Sequence, residues 1–554
     1  MHLARVQIEN FRGIARLDLA LDRLTVVIGE NNHGKTSLFD VLDRCLGGPG
    51  GGETGVWEYR DFRRAADGAR QTIRILLTFD AGRGAAAGAL PQELLAAAAP
   101  REGSQPQRVL VEFTGDPETG AMRHRFLDRD GEALEVGDSD AVLRRLRQLH
   151  PVLLIRLAQP LVPSVLQWTR PPPSGLDDDD EPEGPEEAIT KVYHRLASAR
   201  GPVPTEELRR GFLAVGALRD QVEGQVQSSM GPVRKVLESF LEEGNGFQRA
   251  NSIGGGGQNL GLLLVLGALL EMRDQISLDV ATTPLIAIEE PEVHLHPMVL
   301  SATWDVIERL QAQTLITTNS GEFLSDVPLG VLRRLVRRDG HIEAFQLRDG
   351  RLDEEALRRV GYHVSAKRGA ILFARCWLLV EGETEFWLLR ELARTLGYDL
   401  EAEGVRCVEF AQCGVGPLAR LANELGIAWH LLADGDESGI IFAKDAVRFL
   451  EGRPKRHHVT TLDRRNIEGF LWHHGFEDVY REAARVGRRG TAEGDRMSPR
   501  RIVERAARKH SKPYLALTVA EECARRGPGS VPPLLRAVIE SSVTLAREAV
   551  DEGF

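Results

Sequence analysis

Two stretches, far apart in the chain, carry residues able to do chemistry. GENNHGKTS (29–37) fits the pattern G-x-x-x-x-G-K-[ST], with Gly29, Gly34, Lys35 and Thr36 in place. Glycines there let backbone N–H groups face a β-phosphate beside a helix N-terminus. The lysine reaches the β- and γ-phosphates, and the threonine offers its hydroxyl to Mg²⁺. Asn31, Asn32, Gly34, Lys35, Thr36 and Ser37 are therefore the candidate ATP contacts. A later apolar run, PLIAIEE (284–290), ends in two acids. Glu289 is placed to bind the Mg²⁺ water shell and Glu290 to orient or deprotonate an attacking water. The second stretch is LLADGDESG (431–439), where a short apolar run ends in Asp434 and Asp436, one residue apart. Roughly fifty residues earlier, LLVEGETEFWLL (378–389) sets Glu381 at the end of another apolar run, with Glu385 one helical turn on. Carboxylates clustered without His or Cys select hard cations such as Mg²⁺, Mn²⁺ or Ca²⁺. Three acids at strand ends could also be plain surface groups. The order, the spacing and the flanking glycines favour the metal.

The elements that must position these groups are legible in outline. Residues 1–28 alternate like strands (VQIENF, ARLDLALD) and then give a buried strand, LTVVIGE. TIRILLTFD (72–80), QRVLVEFTGD (107–116) and PVLLIRLAQP (151–160) read as further strands, and the Ala/Gly-rich 81–100 as including a helix. RPPPSGLDDDDEPEGPEE (170–187) joins prolines to an acidic run and reads as a linker. Helical periodicity follows at 187–200 and 204–245, then glycines at 254–257, then the strands PLIAIEE and TLITTN. From 371 the chain restarts as a β/α alternation: strand CWLLVEGE, helix, strand VRCVEF, a helix near 416–425, and strand AWHLLADGD. Residues 477–550 read as mostly helical, and no internal repeat is evident. In a parallel sheet the ends of CWLLV and HLLA lie on one edge, where such sheets place their sites.

Bulk properties limit the possibilities. A chain of 554 residues is too long for one core, so two to four domains are expected. Five cysteines without CxxC or metal spacing suit a reducing cytosol rather than a disulfide framework. The N-terminus has no apolar signal core, and GLLLVLGALL (261–270) is too short to span a bilayer, so a cytoplasmic protein with no membrane partner is expected. The net charge of −11 neither favours nor excludes nucleic acid, because binding depends on a local basic face. Arg481 to Arg526 holds 13 Lys/Arg against 6 Asp/Glu, either a nucleic-acid face or a solvated helical surface.

Taken in order, NFRGI, GENNHGKTS, GGGGQNLGL, IEEPEVHLHP and TTNSGEFL resemble the layout of ABC-type ATPase heads of the SMC/Rad50/RecF kind. The resemblance implies that SIGGGGQ (252–258), with Ser252, Gly255 and Gly256, is the signature that docks on the ATP of a second subunit. Two departures stand out. The metal-side acid is Glu289 where these heads usually have Asp, and Asn319 stands where a histidine usually meets the γ-phosphate. Asn can donate a hydrogen bond but cannot carry charge or a proton, so slow or conditional ATP hydrolysis is expected.

The strand–Glu–Gly followed by strand–DxD resembles the Toprim domain. An ABC head with a helical insert followed by a Toprim domain resembles the OLD (overcoming lysogenization defect) family of ATPase-nucleases linked to phage resistance. The fold class implied is α/β. The implied parts are an ABC head (1–165 and 251–350), an acidic linker and helical dimerisation insert (166–250), a Toprim core of Rossmann-like parallel sheet (371–480) and a helical addition (481–554). The family implies two-metal DNA cleavage. Glu381, Asp434 and Asp436 would hold one ion, while Glu385 and Glu468 are candidates for the second. Lys512, in HSKPYLA, would neutralise the transition-state phosphate. Glu468 could equally be a helix-surface acid, Lys512 an ordinary surface lysine, and Arg464 and Arg465 either DNA-backbone contacts or a solvated loop. The implied function is an ATP-binding, metal-dependent DNA nuclease acting as a homodimer or larger assembly, with a helicase-like protein as a possible partner. A non-catalytic DNA clamp and an RNA- or tRNA-cutting effector are the competing readings.

Overall fold

The computed structural model describes residues 1–47, 56–65, 67–81, 90–99, 107–156, 283–293, 295, 297–310, 312–338, 340–366, 369–486 and 497–549. The signature glycines with Ser252, the acidic linker and the helical insert lie outside them. The chain divides into two compact units. The first is Met1–Val327 with Val331–Leu335 and Gly340–Ala344; the second is Phe345–Phe554 with Pro328–Gly330 and Val336–Asp339.

The strands are β1 (His2–Phe11), β2 (Ile14–Ala20), β3 (Leu24–Gly29), β4 (Ile73–Asp80), β5 (Ala98–Ala99), β6 (Arg108–Gly115), β7 (Met122–Leu127), β8 (Val152–Arg156), β9 (Leu285–Glu289), β10 (Gln313–Thr317), β11 (Leu332–Arg338), β12 (His341–Phe345), β13 (Cys376–Val380), β14 (Val405–Glu409), β15 (Ala428–Ala433) and β16 (Val459–Thr461). Among the described residues, twelve form one mixed sheet in the order β5-β6-β4-β1-β2-β12-β11-β3-β10-β9-β8, with β7 beside β6. Its wing is antiparallel (β1 with β2 and β4, β4 with β6), and its centre (β11-β3-β10-β9-β8) is parallel. The sequence shows why. β1 alternates, burying Leu3, Val6, Ile8 and Phe11 between polar neighbours. β3 and β9 are apolar almost throughout, as strands covered on both faces are, and β10 (QTLIT) is buried at every position although three of its residues are polar. The helix Lys35–Leu46 buries Leu38, Phe39, Leu42 and Cys45 on one stripe and so docks its N-terminus at the end of β3.

The second unit holds a four-stranded parallel sheet, β14-β13-β15-β16. Leu379 pairs with Leu431, so β13 and β15 end side by side. The helices Glu383–Thr395, Val415–Glu424 and Glu437–Val447 connect the strands, and Lys512–Arg526 packs on the first of them. The α/β class holds, and the expected strands at 72–80 and 107–116 are present, as is the described part, Val152–Arg156, of the one expected at 151–160. So are the helices at 383–395, 415–424 and beyond 477. The helix expected within 81–100 is replaced, in its described part, by a 3₁₀ turn at Gln92–Ala97. Pro91 fixes the turn's entry, and the run is too short to propagate as an α-helix. β7, β11, β12, β16 and the helices Ser139–Leu149 and Glu354–Ala366 were not anticipated.

Candidate functional site

In the first unit the P-loop forms at the C-terminal end of β3. Gly34 takes φ +82°, which releases the chain into the helix Lys35–Leu46. A Cβ on Gly29 would come within 2.9 Å of the Leu335 carbonyl oxygen, so the loop needs glycine where β3 passes β11. His33 Nδ1 lies 3.0 Å from that same carbonyl and ties the loop to β11. Lys35 Nζ donates to the carbonyl oxygens of Gly29 and Glu30, the latter at 3.1 Å. Burial pushes its ammonium below the usual lysine range, while Glu290, Glu292, Glu30 and Glu289 pull it back up. Thr36 Oγ1 donates to Glu289 Oε1 at 2.6 Å, so the hydroxyl and the strand-end acid expected to share an Mg²⁺ already touch. β9 and β10 are neighbours in register, Glu289 opposite Thr317. The turns after them therefore meet. The Asn319 side-chain amide donates to Glu290 Oε1 at 2.5 Å, and its backbone N–H to Glu292 Oε1 at 3.0 Å. Glu290 sits at φ +51°, a sparsely populated conformation for a non-glycine residue.

Sequence reasoning passed over Glu292. Burial pushes its carboxyl above the usual range, and Oε2 has no hydrogen-bond partner among the described residues. Its signal was available as a third acid in EEPE. Asn31, Asn32 and Ser37 fall in the P-loop and the first turn of its helix, as the motif demands.

In the second unit, Glu381 follows β13, Glu385 lies in the first turn of the next helix, and Asp434 and Asp436 follow β15. Glu468 is buried in the short helix Ile467–Leu471, and Lys512 opens the helix Lys512–Arg526. These six residues converge. Lys512 Nζ is 2.9 Å from Glu468 Oε1. Glu385 Oε2 accepts the Gly382 N–H at 3.1 Å, and Asp436 Oδ1 caps the helix Glu437–Val447 by accepting the Gly439 N–H at 2.8 Å. The carboxyl of Asp434 is pushed up to about 8 by burial and then by Glu385, Glu381, Glu468 and Asp436. Burial, against backbone N–H groups, raises that of Glu385 to about 7. Burial and Asp436 raise Glu381, and Glu468 draws the Lys512 ammonium upward against its desolvation. Such shifts are what several like charges crowded into one partly dry pocket produce.

As they stand, no three acids, histidines or cysteines among the described residues are grouped closely enough to share one ion. Asp436, Glu385 and Glu468 are each held by the local bonds just named. The residues nonetheless fit a divalent cation. Glu381 Oε2 and Glu468 Oε2 are buried with no hydrogen-bond partner among the described residues, and every donor is a hard oxygen. The turn is built tightly. A Cβ on Gly435 would fall 2.3 Å from Arg464 O and 2.4 Å from Leu462 O, and one on Gly439 would fall 2.0 Å from Asp434 O.

A P-loop unit followed by an acid-edged parallel sheet defines a two-unit α/β chain with a nucleotide-type loop and a Toprim domain. The chain belongs to the family described as protein of unknown function (DUF2813), whose model matches residues 1–370. Residues 372–436 match the overcoming lysogenization defect protein-like TOPRIM domain. It is 34% identical to the uncharacterized protein YbjD of Escherichia coli (strain K12), over the whole of both chains. It is 25% identical to the OLD nuclease of Thermus scotoductus, over 74% of this chain and 77% of that one. Among solved structures, the C-terminal region of the Burkholderia pseudomallei OLD protein matches at TM-score 0.27 and 16% identity, covering 31% of this chain and 99% of that one. The SMC head domain from Thermotoga maritima matches at TM-score 0.31 and 12% identity, covering 63% of this chain and all of that one. No helix among the described residues is long and apolar enough to cross a membrane.

Proposed function

We propose that the chain is an ATP-binding, divalent-metal-dependent DNA endonuclease. The observation that supports it best is the convergence of Glu381, Glu385, Asp434, Asp436 and Glu468 with Lys512, where burial and the neighbouring acids push the Asp434 carboxyl up to about 8. Glu381, Asp434 and Asp436 would hold one Mg²⁺ or Mn²⁺, and Glu385 and Glu468 a second. Bound there, two such ions supply an activated water and positive charge at the leaving oxygen. Lys512, at the edge of the same group of acids, would face the phosphate and stabilise its developing charge. Asp436 holds the DxD turn by capping its own helix while offering its other oxygen.

In the first unit, Lys35 would leave the Gly29 and Glu30 carbonyls for the β- and γ-phosphates. Thr36 and Glu289 would share the nucleotide's Mg²⁺, and Glu290 would orient the attacking water under the hold of Asn319. Ser252, Gly255 and Gly256 of a second copy would complete the site, so a homodimer or larger assembly is part of the reading, with residues 166–250 as its contact. A phage-defence role and a helicase-like partner follow from the OLD resemblance.

The test is cleavage of supercoiled plasmid with Mg²⁺ or Mn²⁺ by the wild type and by Asp434→Ala with Asp436→Ala. Nicking by the first and not the second is expected. A wild type inert with every metal overturns the nuclease and leaves an ATP-driven DNA clamp. Cleavage confined to a tRNA panel moves the substrate to RNA.

A further inference from the structure

The acid site has an electrostatic problem with any nucleic acid. Glu381, Glu385, Asp434, Asp436 and Glu468 against Lys512 leave a formal charge of −4, which two divalent ions would only cancel. A polyanionic backbone approaching that edge needs positive charge from elsewhere.

The loop between β16 and the helix Ile467–Leu471 supplies it. Its backbone is fixed to the DxD turn: Leu462 N–H donates to Ala433 O at 2.9 Å, and Gly435 N–H to Arg464 O at 3.0 Å. The absent Cβ of Gly435 is what lets the two strands of chain approach this closely. Asn466 then caps the next helix, its Oδ1 accepting the Gly469 N–H at 3.0 Å, and that helix carries Glu468 inward. Arg464 and Arg465 thus stand on a rigid span between two points that bear metal-site acids. Both are exposed. Arg464 reaches only the Asp463 carbonyl, at 3.5 Å, and neither guanidinium is ion-paired with an acid among the described residues. The exposed Arg394, Arg448 and Arg500 of this unit, by contrast, each pair with an Asp or Glu. A planar guanidinium grips a phosphate through two parallel N–H bonds, and a fixed backbone lowers the entropy cost of holding it there.

We propose that Arg464 and Arg465 are the phosphate-binding rim of the carboxylate site, holding the nucleic-acid backbone beside the DxD turn. The inference deepens the nuclease reading and rests on it. A solvated loop, the plainer alternative, would leave binding and its salt dependence unchanged.

The full chain is titrated against a fluorescein-labelled DNA duplex in Ca²⁺ over a range of KCl. Arg464→Ala with Arg465→Ala should make the plot of log K against log salt shallower by about 1.8, which is about 0.9 for each phosphate no longer neutralised. Arg464→Lys with Arg465→Lys should restore most of that slope, since charge is kept. In plasmid nicking, KM should rise with kcat within about twofold, the pattern of weakened uniform binding. Mn²⁺ affinity by calorimetry should be unchanged.

An unchanged slope, no DNA binding by the wild type, or loss of Mn²⁺ affinity together with the slope overturns the rim. The two readings fail separately. A wild type that binds DNA through this slope but never nicks overturns the nuclease and keeps the rim. One that nicks with the slope unaltered in the alanine variant does the reverse.

Discussion

The P-loop region and the carboxylate region are both built at the C-terminal ends of parallel strands, yet they solve opposite problems. Around the P-loop the acids are mostly satisfied: Glu289 accepts from Thr36, Glu290 from the Asn319 amide, and one oxygen of Glu292 from the Asn319 backbone, while its other oxygen has no partner among the described residues. Lys35 is already seated on two carbonyls. Around the DxD turn the acids are frustrated. Two buried carboxylate oxygens have no partner among the described residues, and Asp434 is pushed up to about 8. A region that satisfies its own charges waits for an anion to redirect a lysine. A region that cannot do so is one that the proposed cations would complete. The difference lies in how many donors each fold brings to its acids, not in how many acids it has.

The sharpest way to break this contrast is at Asp434. Asp434→Ala with Asp436→Ala should lower metal-dependent nicking by about 10³-fold, because two of the carboxylates proposed to hold the ion that activates water and stabilises the leaving oxygen are removed. Asp434→Asn adds a test by sign. A carboxyl whose folded value is raised from near 4 to about 8 costs stability progressively as pH climbs through that window, because the unfolded chain loses the proton first. In metal-free buffer the Asn variant should therefore match wild type near pH 4 and melt ~3 °C higher by pH 8. Melting curves at the two pH values decide it, and a variant less stable at both means that Asp434 is not repelled by its neighbours.

On the P-loop side the largest effect is expected at Lys35. Lys35→Ala should weaken binding of a fluorescent ATP analogue by about 10²-fold, since it removes a charge-assisted hydrogen bond to phosphate of about 2–3 kcal/mol. It should leave Mn²⁺ binding at the carboxylate region unmoved. Coupled loss of both in one variant would mean that the two regions share a folding defect.

Backbone clearance comes next. Gly435→Ala should destabilise the second unit by about 1–3 kcal/mol, as overpacking against the Leu462 and Arg464 carbonyls requires. Urea titration reads it, and wild-type stability in that variant would mean the turn is loose.

Much of this was legible in the residues. GENNHGKTS and the two strand–acid ends are local patterns, in which a short apolar run fixes the strand and a glycine fixes the turn, so Glu381, Asp434 and Asp436 could be placed together from spacing alone. Glu468 and Lys512 lie 34 and 78 residues beyond Asp434, on helices whose docking depends on tertiary packing, and only the fold brings Lys512 to Glu468. Asp436's role as a helix cap was readable from D-E-S-G but was eclipsed by the metal role expected of it. β11 was missed because LRRLVRR sets pairs of arginines between its apolar residues: Arg333 and Arg334 are buried, so polarity there did not mean exposure. The tie between Gly435 and the Arg464 loop is a backbone contact with no side-chain signature.

The smallest expected effect bears on what holds the P-loop region quiet. Asn319 places one amide hydrogen on Glu290 Oε1 and its backbone N–H on Glu292, so the acid best placed to orient water already has a donor occupying one oxygen. Asn319 can hold Glu290 but cannot accept a proton from it or bring positive charge to a γ-phosphate. Asn319→His supplies both capacities at pH 7. Steady-state ATP turnover should rise several-fold, with nucleotide affinity little changed. Asn319→Asp sets a second carboxylate against Glu290 and should give no gain. A histidine variant no faster than wild type would show that the amide bond to Glu290 is not what limits hydrolysis, and would move the restraint to assembly of the second subunit's signature onto the nucleotide.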